Sequence, residues 1–394
     1  MTAVVHDVGD QRLVPRLRPF TSTIFAEMTA LAVEHDAVNL GQGFPDTDGP
    51  ASMLAAAQAA IAGGLNQYPP GPGMPVLRAA VAADRLTRYG QELDPDTEVL
   101  VTVGATEAIA AALLALVGAG DEVVVLDPSY DSYAASVALA GATAVRVPLV
   151  ADGLRFAVDL DAVRAAVGPR TRVLLVNSPH NPTGTVFTDD ELHALAALAV
   201  ERDLLVVTDE VYEHLVFDGR RHLPLATVPG MAERTLSVSS AAKTFNATGW
   251  KTGWVCGPAE LVAAVRAAKQ FLTFVGAAPF QPAVAHALDH EQPWVVGLRE
   301  SLQRKRGALS VTLDEVGMTV HPSEGTYFVC ADPRPLGITD AAAFCRELPA
   351  RVGVAAVPVG VFCADPAPWS HLLRFAFCKR DDVLAEAAGR LRTL

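Results

Sequence analysis

The chain is short of lysine, of net positive charge and of paired cysteines, and each shortage closes off a class of function. Five lysines (243, 251, 269, 305 and 379) stand among 31 basic residues, against 44 acids and a formal charge of −13. Such a balance excludes a nucleic-acid or other polyanion surface, which needs clustered cations. The five cysteines (256, 330, 345, 363 and 378) are odd in number, widely spaced and free of any CxxC pair. That pattern fits neither a zinc site nor a disulfide framework, so no metal and a reducing, cytoplasmic compartment are expected. The longest apolar run, AIAAALLALVGAG, stops short of a membrane span and ends at Gly120-Asp121. The opening MTAVVHDVGDQRLVPRLRPF has early acids and no apolar segment, so no signal peptide is expected. No repeat of 20–50 residues and no low-complexity segment is present.

What remains is a chain made for large buried interiors. Hydrophobic residues make up 51 % and charged ones 19 %, and 394 residues suffice for two packed units. Between about residues 98 and 257, short Val/Leu runs alternate with alanine-rich helical stretches. The strand candidates are EVLVTVG, EVVVLDP, ATAVRVPL, TRVLLVNS, DLLVVTDE, RTLSVSS and GWVCGP. Continuous apolar runs suit strands buried on both faces. The helix candidates are 106–117, the segment after Ser129, 161–167 and 188–203, the last with Thr188 as N-cap. This rhythm predicts an α/β fold with a doubly wound, mostly parallel sheet. From about residue 300 a charged helix, RESLQRKRGALSVTLDEVG, leads to short strands near 318–321, 326–331, 354–358 and 372–377 and a final amphipathic helix, a smaller α+β unit.

Ligands of doubly wound sheets bind at the carboxyl ends of the strands, and the residues there form an unusual set. EVLVTVG runs into Gly104-Ala105-Thr106, EVVVLDP into Ser129 and Tyr130, RVLLVNS into Asn177 and then Asn181. DLLVVTDE ends in Asp209 with Tyr212 close behind, and RTLSVSS ends in Ser239-Ser240, three residues before Lys243. Each has an ordinary structural explanation: a helix start, a turn, a cap, a solvated lysine. Their convergence on one sheet edge is what points to chemistry.

Together they supply what a phosphorylated pyridine aldehyde needs. Backbone N–H groups at 104–106 open a helix N-terminus, a natural phosphate cradle, to which Ser240 adds a hydroxyl and Lys251 a charge. Asp209 would sit against the pyridine nitrogen and keep it protonated, so that the ring draws electrons. Asn181 and Tyr212 would hydrogen-bond the phenolic oxygen, and Tyr130 would stack on the ring. Lys243, among small neighbours, would form the Schiff base, its amine kept reactive by desolvation and nearby positive charge.

With SSAAKTFNATGWKTGW, NSPHNPTG, TDEVYEHL, VTVGATEAI, NLGQGFPD and LLRFAFCKR in place, the chain resembles a class I aminotransferase of the fold type I pyridoxal-phosphate enzymes, from about residue 39 to 380. The resemblance implies pyridoxal 5′-phosphate as cofactor, an amino acid and a 2-oxo acid as substrates, and a seven-stranded large domain. It divides the chain into an arm with part of the small domain (1–44), the large domain (45–285) and the small domain (286–394). It makes Lys243 the cofactor lysine and proton shuttle, with Asp209 on the pyridinium and Asn181 and Tyr212 on the ring oxygen. Ala105, Thr106, Ser240 and Lys251 would hold the phosphate. Lys251 stands where relatives commonly have arginine, which keeps the charge and loses the bidentate fork. Arg374 matches the arginine that grips the substrate α-carboxylate, and Gly43 would bring a backbone N–H to the same group. Tyr68 matches a tyrosine lent to the neighbouring subunit's phosphate, which implies a homodimer.

Two branches are similar enough to compete: bacterial N-succinyldiaminopimelate aminotransferases of lysine biosynthesis and the kynurenine/glutamine/methionine transaminases. The whole-chain pattern, including ATEAIAAALLALV and HLPLATVPGMAERT, favours the first. A succinyl carboxylate calls for a further cation, for which Arg16 and Arg18 are candidates. C–S β-lyases share the fold, the lysine and the carboxylate arginine. Transcription regulators with an aminotransferase-like domain are disfavoured, because about forty residues before GQGFPD are too few for a helix-turn-helix domain.

Overall fold

Seven runs rich in Val, Leu and Thr pair into the central sheet: β1 (Val99–Thr102), β2 (Glu122–Asp127), β3 (Thr143–Pro148), β4 (Thr171–Asn177), β5 (Leu205–Asp209), β6 (Thr235–Ser240) and β7 (Gly253–Cys256). The structure is a computed structural model that describes residues 12–20 and 24–394. The spatial order is β1-β7-β6-β5-β4-β2-β3. All pairings are parallel except those of β7, which runs against both β1 and β6. The strands are buried on both faces, as their unbroken apolar runs require, apart from the edge strand β3.

The expected helices form with shifted ends. The helix expected at 106–117 runs Gly104–Leu116, because Gly104 turns out of β1 at φ +75 and the Glu107 carboxylate accepts from the Val103 N–H at 2.6 Å. The segment after Ser129 is helical over Asp131–Ala140, and 161–167 becomes Leu160–Ala166. The helix Asp189–Glu201 opens on a capping box between Thr188 and Glu191. A hairpin of Val150–Asp152 and Arg155–Ala157 follows β3, where the sequence reading placed no strands.

The C-terminal unit carries a four-stranded sheet in the order Thr319–Val320, Phe328–Asp332, Leu373–Ala376, Val357–Pro358. Its long helix is Gln292–Glu315, seven residues longer at the start than the charged segment suggested, with Pro293 tolerated in the first turn. The strand expected at 354–358 divides. Val354–Ala355 pairs in parallel with Val38–Asn39, which ties the N-terminal segment to this unit, and Val357–Pro358 joins the small sheet. All five cysteines are free. Among the described residues no helix is long and apolar enough to cross a membrane.

Candidate active site

Strand register assembles the site. Gly253, the first residue of β7, lies opposite both Thr102 at the end of β1 and Ser240 at the end of β6. Because β7 is antiparallel, the residues just before it sit at the edge where its neighbours end. Lys251 therefore joins Gly104–Thr106 and Ser240–Lys243 across two strands. Asn177 and Asp209 are likewise register partners at the ends of β4 and β5. These ends open into a cavity of about 360 Å³ between the two sheets, within the ordinary size of small-molecule clefts. Ala105, Thr106, Tyr130, Asn181, Asp209, Tyr212, Ser240, Lys243, Lys251, Gly43 and Arg374, all singled out in the sequence, line it.

One end is an anion cradle. Ala105 and Thr106 occupy the first turn of the helix Gly104–Leu116, where backbone N–H groups lack helical partners. A Cβ on Gly253 would come within 2.9 Å of the Ala105 nitrogen, so β7 closes over this turn only because that position is glycine, and Gly104, at φ +75, leaves Lys251 Nζ 3.2 Å from where its own Cβ would stand. Lys251 itself adopts φ +52, a left-handed conformation costly for a residue with a Cβ.

The floor is Asp209, almost fully buried. It accepts from Tyr133 Oη at 2.7 Å and from the Val211 N–H at 3.2 Å. Burial raises its carboxyl above the usual range, while those hydrogen bonds and Lys243 act the other way. Asn177 Nδ2 donates to the Asp209 carbonyl at 2.9 Å, and its Oδ1 accepts from the Asn181 N–H at 2.8 Å, so one amide locks the β4 and β5 ends together. Tyr130 stands at the N-cap position of the helix Asp131–Ala140, without a side-chain capping bond, and lies edge-on to Tyr133.

Lys243 Nζ donates to Tyr327 Oη at 2.6 Å, and that hydroxyl donates to the Gly43 carbonyl at 2.5 Å. Burial pushes the Lys243 amine down to about 8; Cys378 and Asp209 oppose this, and Lys251 and Arg374 reinforce it. Tyr212 packs edge-on against Tyr327 at 5.2 Å between ring centres. Arg374, in the small sheet, is 2 % exposed and faces three rings, Phe328 at 4.0 Å, Phe362 at 4.7 Å and Phe25 at 5.5 Å. Its Nη1 donates to Asn181 Oδ1 and its Nη2 to the Gly41 carbonyl, but its Nε is buried with no partner. Burial pushes this guanidinium down to about 10.

Other expected residues lie elsewhere in the single chain. Tyr68 is 82 % exposed, edge-on to Phe274 and outside the cavity. Arg16 and Arg18 lie in the short 3-10 helix Pro15–Phe20 and do not line it; Arg18 Nε donates to the Leu13 carbonyl at 3.3 Å. Gly43 meets Tyr327 through its carbonyl rather than offering only its N–H. Tyr133, Tyr327 and the rings around Arg374 were not singled out in the sequence. Tyr133 follows Tyr130 by three residues, one helical turn, which was the available signal. Nothing local marks Tyr327, which reads as an ordinary strand residue.

The residues present fit pyridoxal phosphate on three counts: an anion cradle with its own cation, a desolvated carboxylate short of a positive partner, and a primary amine shifted toward its free base; the orphaned guanidinium N–H of Arg374 fits the carboxylate of a further ligand. The chain also matches known proteins. A family model described as aminotransferase class I and II matches residues 35–391. A protein of Mycobacterium tuberculosis named "Probable N-succinyldiaminopimelate aminotransferase" is 63 % identical over 97 % of this chain and 98 % of its own length. The solved structure of the N-succinyldiaminopimelate aminotransferase from the same organism superposes with a TM-score of 0.95, over 97 % of this chain and 99 % of that one. The methionine aminotransferase of Escherichia coli is 41 % identical over 97 % of this chain and 99 % of its own length.

Proposed function

Because the chain belongs to the class I and II aminotransferases, we propose that its amino donor is N-succinyl-L,L-diaminopimelate and its acceptor 2-oxoglutarate. The chain is a transaminase of fold type I, its cofactor is pyridoxal phosphate, and its substrates are amino and 2-oxo acids. The donor assignment rests on the 63 % identity to the mycobacterial relative along nearly the full length of both chains.

The cofactor supplies an aldehyde that takes up the amino group and a ring that accepts the electron pair of the broken Cα–H bond. The Gly104–Thr106 turn, Ser240 and Lys251 bind the phosphate. Asp209, held by Tyr133 and Val211, balances a protonated ring nitrogen. Asn181 Oδ1 is occupied by Arg374, so its Nδ2 is the donor for the ring oxygen, alongside Tyr212. Arg374 takes the substrate α-carboxylate through the fork whose Nε is unpaired. Lys243, its amine lowered to about 8, would accept the proton leaving the donor's α-carbon in one half of the reaction and give one to the α-carbon of the new amino acid in the other.

We assign the enzyme to a homodimer in the cytoplasm, with Tyr68 reaching the partner's phosphate, and divide each subunit into 1–44, 45–285 and 286–394. The exposed ring of Tyr68 is available for such a contact. The test is a panel of donors against 2-oxoglutarate, comprising N-succinyl-L,L-diaminopimelate, kynurenine, glutamine and methionine. The succinylated donor is expected to give the highest kcat/KM. A higher value for methionine or kynurenine moves the enzyme to the neighbouring branch, and pyruvate release from a β-substituted donor without amino transfer makes it a lyase.

A further inference from the structure

We propose that Tyr327 is a positioning residue that holds the Lys243 amine against the Gly43 loop, joining the reacting nitrogen to the carboxylate end of the cavity. The inference deepens the transaminase reading and rests on it. Tyr327 belongs to the small unit, next to the strand Phe328–Asp332, whereas Lys243 follows β6 of the large sheet. Their 2.6 Å contact thus crosses between the two sheets, and Gly43 brings in a third segment.

The phenol is 1 % exposed and its surroundings determine its position. Its ring is edge-on to Tyr212 at 5.2 Å and to Phe328 at 4.8 Å. The preceding Thr326 is fully buried at φ +67, an unusual conformation for a β-branched residue. Two hydrogen bonds hold it there: its N–H donates to the Leu215 carbonyl at 2.9 Å, and its Oγ1 accepts from the Phe328 N–H at 3.1 Å. Strained backbone of this kind persists only where the surroundings over-determine it, and here it aims the Tyr327 hydroxyl at Lys243.

The direction of the chain matters. A phenol has one proton, and Tyr327 gives it to the Gly43 carbonyl. Toward Lys243 it presents lone pairs, so the amine must be the donor. That arrangement favours the protonated amine and opposes part of the effect of burial. It also fixes the position of the nitrogen that would take the substrate's proton. The other groups facing Lys243 are Asp209, Cys378, Lys251 and Arg374, together with the Tyr212 ring. All of them remain when only the hydroxyl is removed.

Tyr327→Phe is therefore the test, since it keeps the ring that packs on Tyr212 and Phe328. Trace labelling of the cofactor-free full chain with acetic anhydride, read by mass spectrometry on the Lys243 peptide, gives the midpoint of amine titration. In the variant it is expected to fall by about half a pH unit or more relative to wild type. In the cofactor-loaded enzyme kcat is expected to drop about tenfold for every donor, with KM changed less than about threefold. Melting temperature reports whether the fold is kept. A loss of fold would instead expose the amine and raise the midpoint toward the ordinary lysine value, the opposite of the expected fall. An unchanged midpoint, or a loss confined to KM, overturns the proposal. The midpoint is read without substrate, so failure of the wild type to transaminate any donor would overturn the proposed function and leave this measurement standing.

Discussion

Arg374 Nη1 donates to Asn181 Oδ1 at 3.0 Å, so the residue placed on the substrate carboxylate and the residue placed on the ring oxygen form one hydrogen-bonded unit. The guanidinium is nearly fully buried among three aromatic rings, and its Nε has no partner. Removing it deletes a carboxylate fork and frees Asn181 at the same time. Arg374→Ala is expected to lower kcat/KM by about a hundredfold or more, the scale of a lost charge-assisted bidentate pair. Steady-state kinetics should show the loss, chiefly as raised KM, for every donor, because all share the α-carboxylate. A loss confined to one donor would place Arg374 on the side chain instead.

Lys243 makes its own pH signature. Its amine is pushed down to about 8 in the folded chain by burial, against an ordinary lysine value of 10.5. Between those two values the unfolded chain holds a proton that the folded chain has released. Stability must then rise with pH across that window. Below about pH 8 both states are protonated, and the folded state carries the full cost of a buried ammonium. Lys243→Ala removes both the cost and the chemistry. The cofactor-free variant is expected to melt higher than wild type near pH 7, with the gap closing as pH climbs from about 8 to 10.5. The same variant should show no transamination with any donor. Melting curves across pH, together with a turnover assay, check both; retained turnover would remove Lys243 from its assigned role.

How much of this was legible in the sequence follows from where each signal resides. The sheet was legible because strands buried on both faces must be apolar throughout, and because the residues that end them are polar. Lys251 is the instructive case. It is visible as one of only five lysines, yet its place beside Gly104 depends on β7 running antiparallel, a matter of pairing that no local pattern encodes. Tyr327 was illegible for the same reason. Its partners, Lys243 and Gly43, are 84 and 284 residues away, and a tyrosine in an apolar strand looks like core. Tyr133 was closer to view, one turn beyond Tyr130, but its bond to Asp209 spans 76 residues.

Directly behind Asp209 the chain buries a charge network that sequence analysis passed over. Arg85 Nη1 meets Glu210 Oε2 at 2.7 Å and Glu213 Oε2 at 3.2 Å, with all three side chains 2 % exposed. Thr208 donates to Glu210, and Ser239 and Tyr89 donate to Glu213. These hydroxyls come from β5, β6 and the helix Pro75–Tyr89, so the network fixes the two strand ends that present Asp209 and Ser240. Burial alone would push the Glu210 carboxyl up, but Arg85 and His222 outweigh it and hold that group well below the usual range. A carboxylate depressed in this way contributes stability above its unfolded value and loses it as pH falls. Arg85→Met removes the countercharge while filling much of the space, and strands two carboxylates in the interior. Breaking such a pair by deleting one partner costs about 3–5 kcal/mol. Urea unfolding at pH 7 is expected to show a loss of that order. Near pH 4 the gap should narrow, because protonated carboxyls no longer need the arginine. A pH-independent loss would mean that Arg85 serves by packing alone.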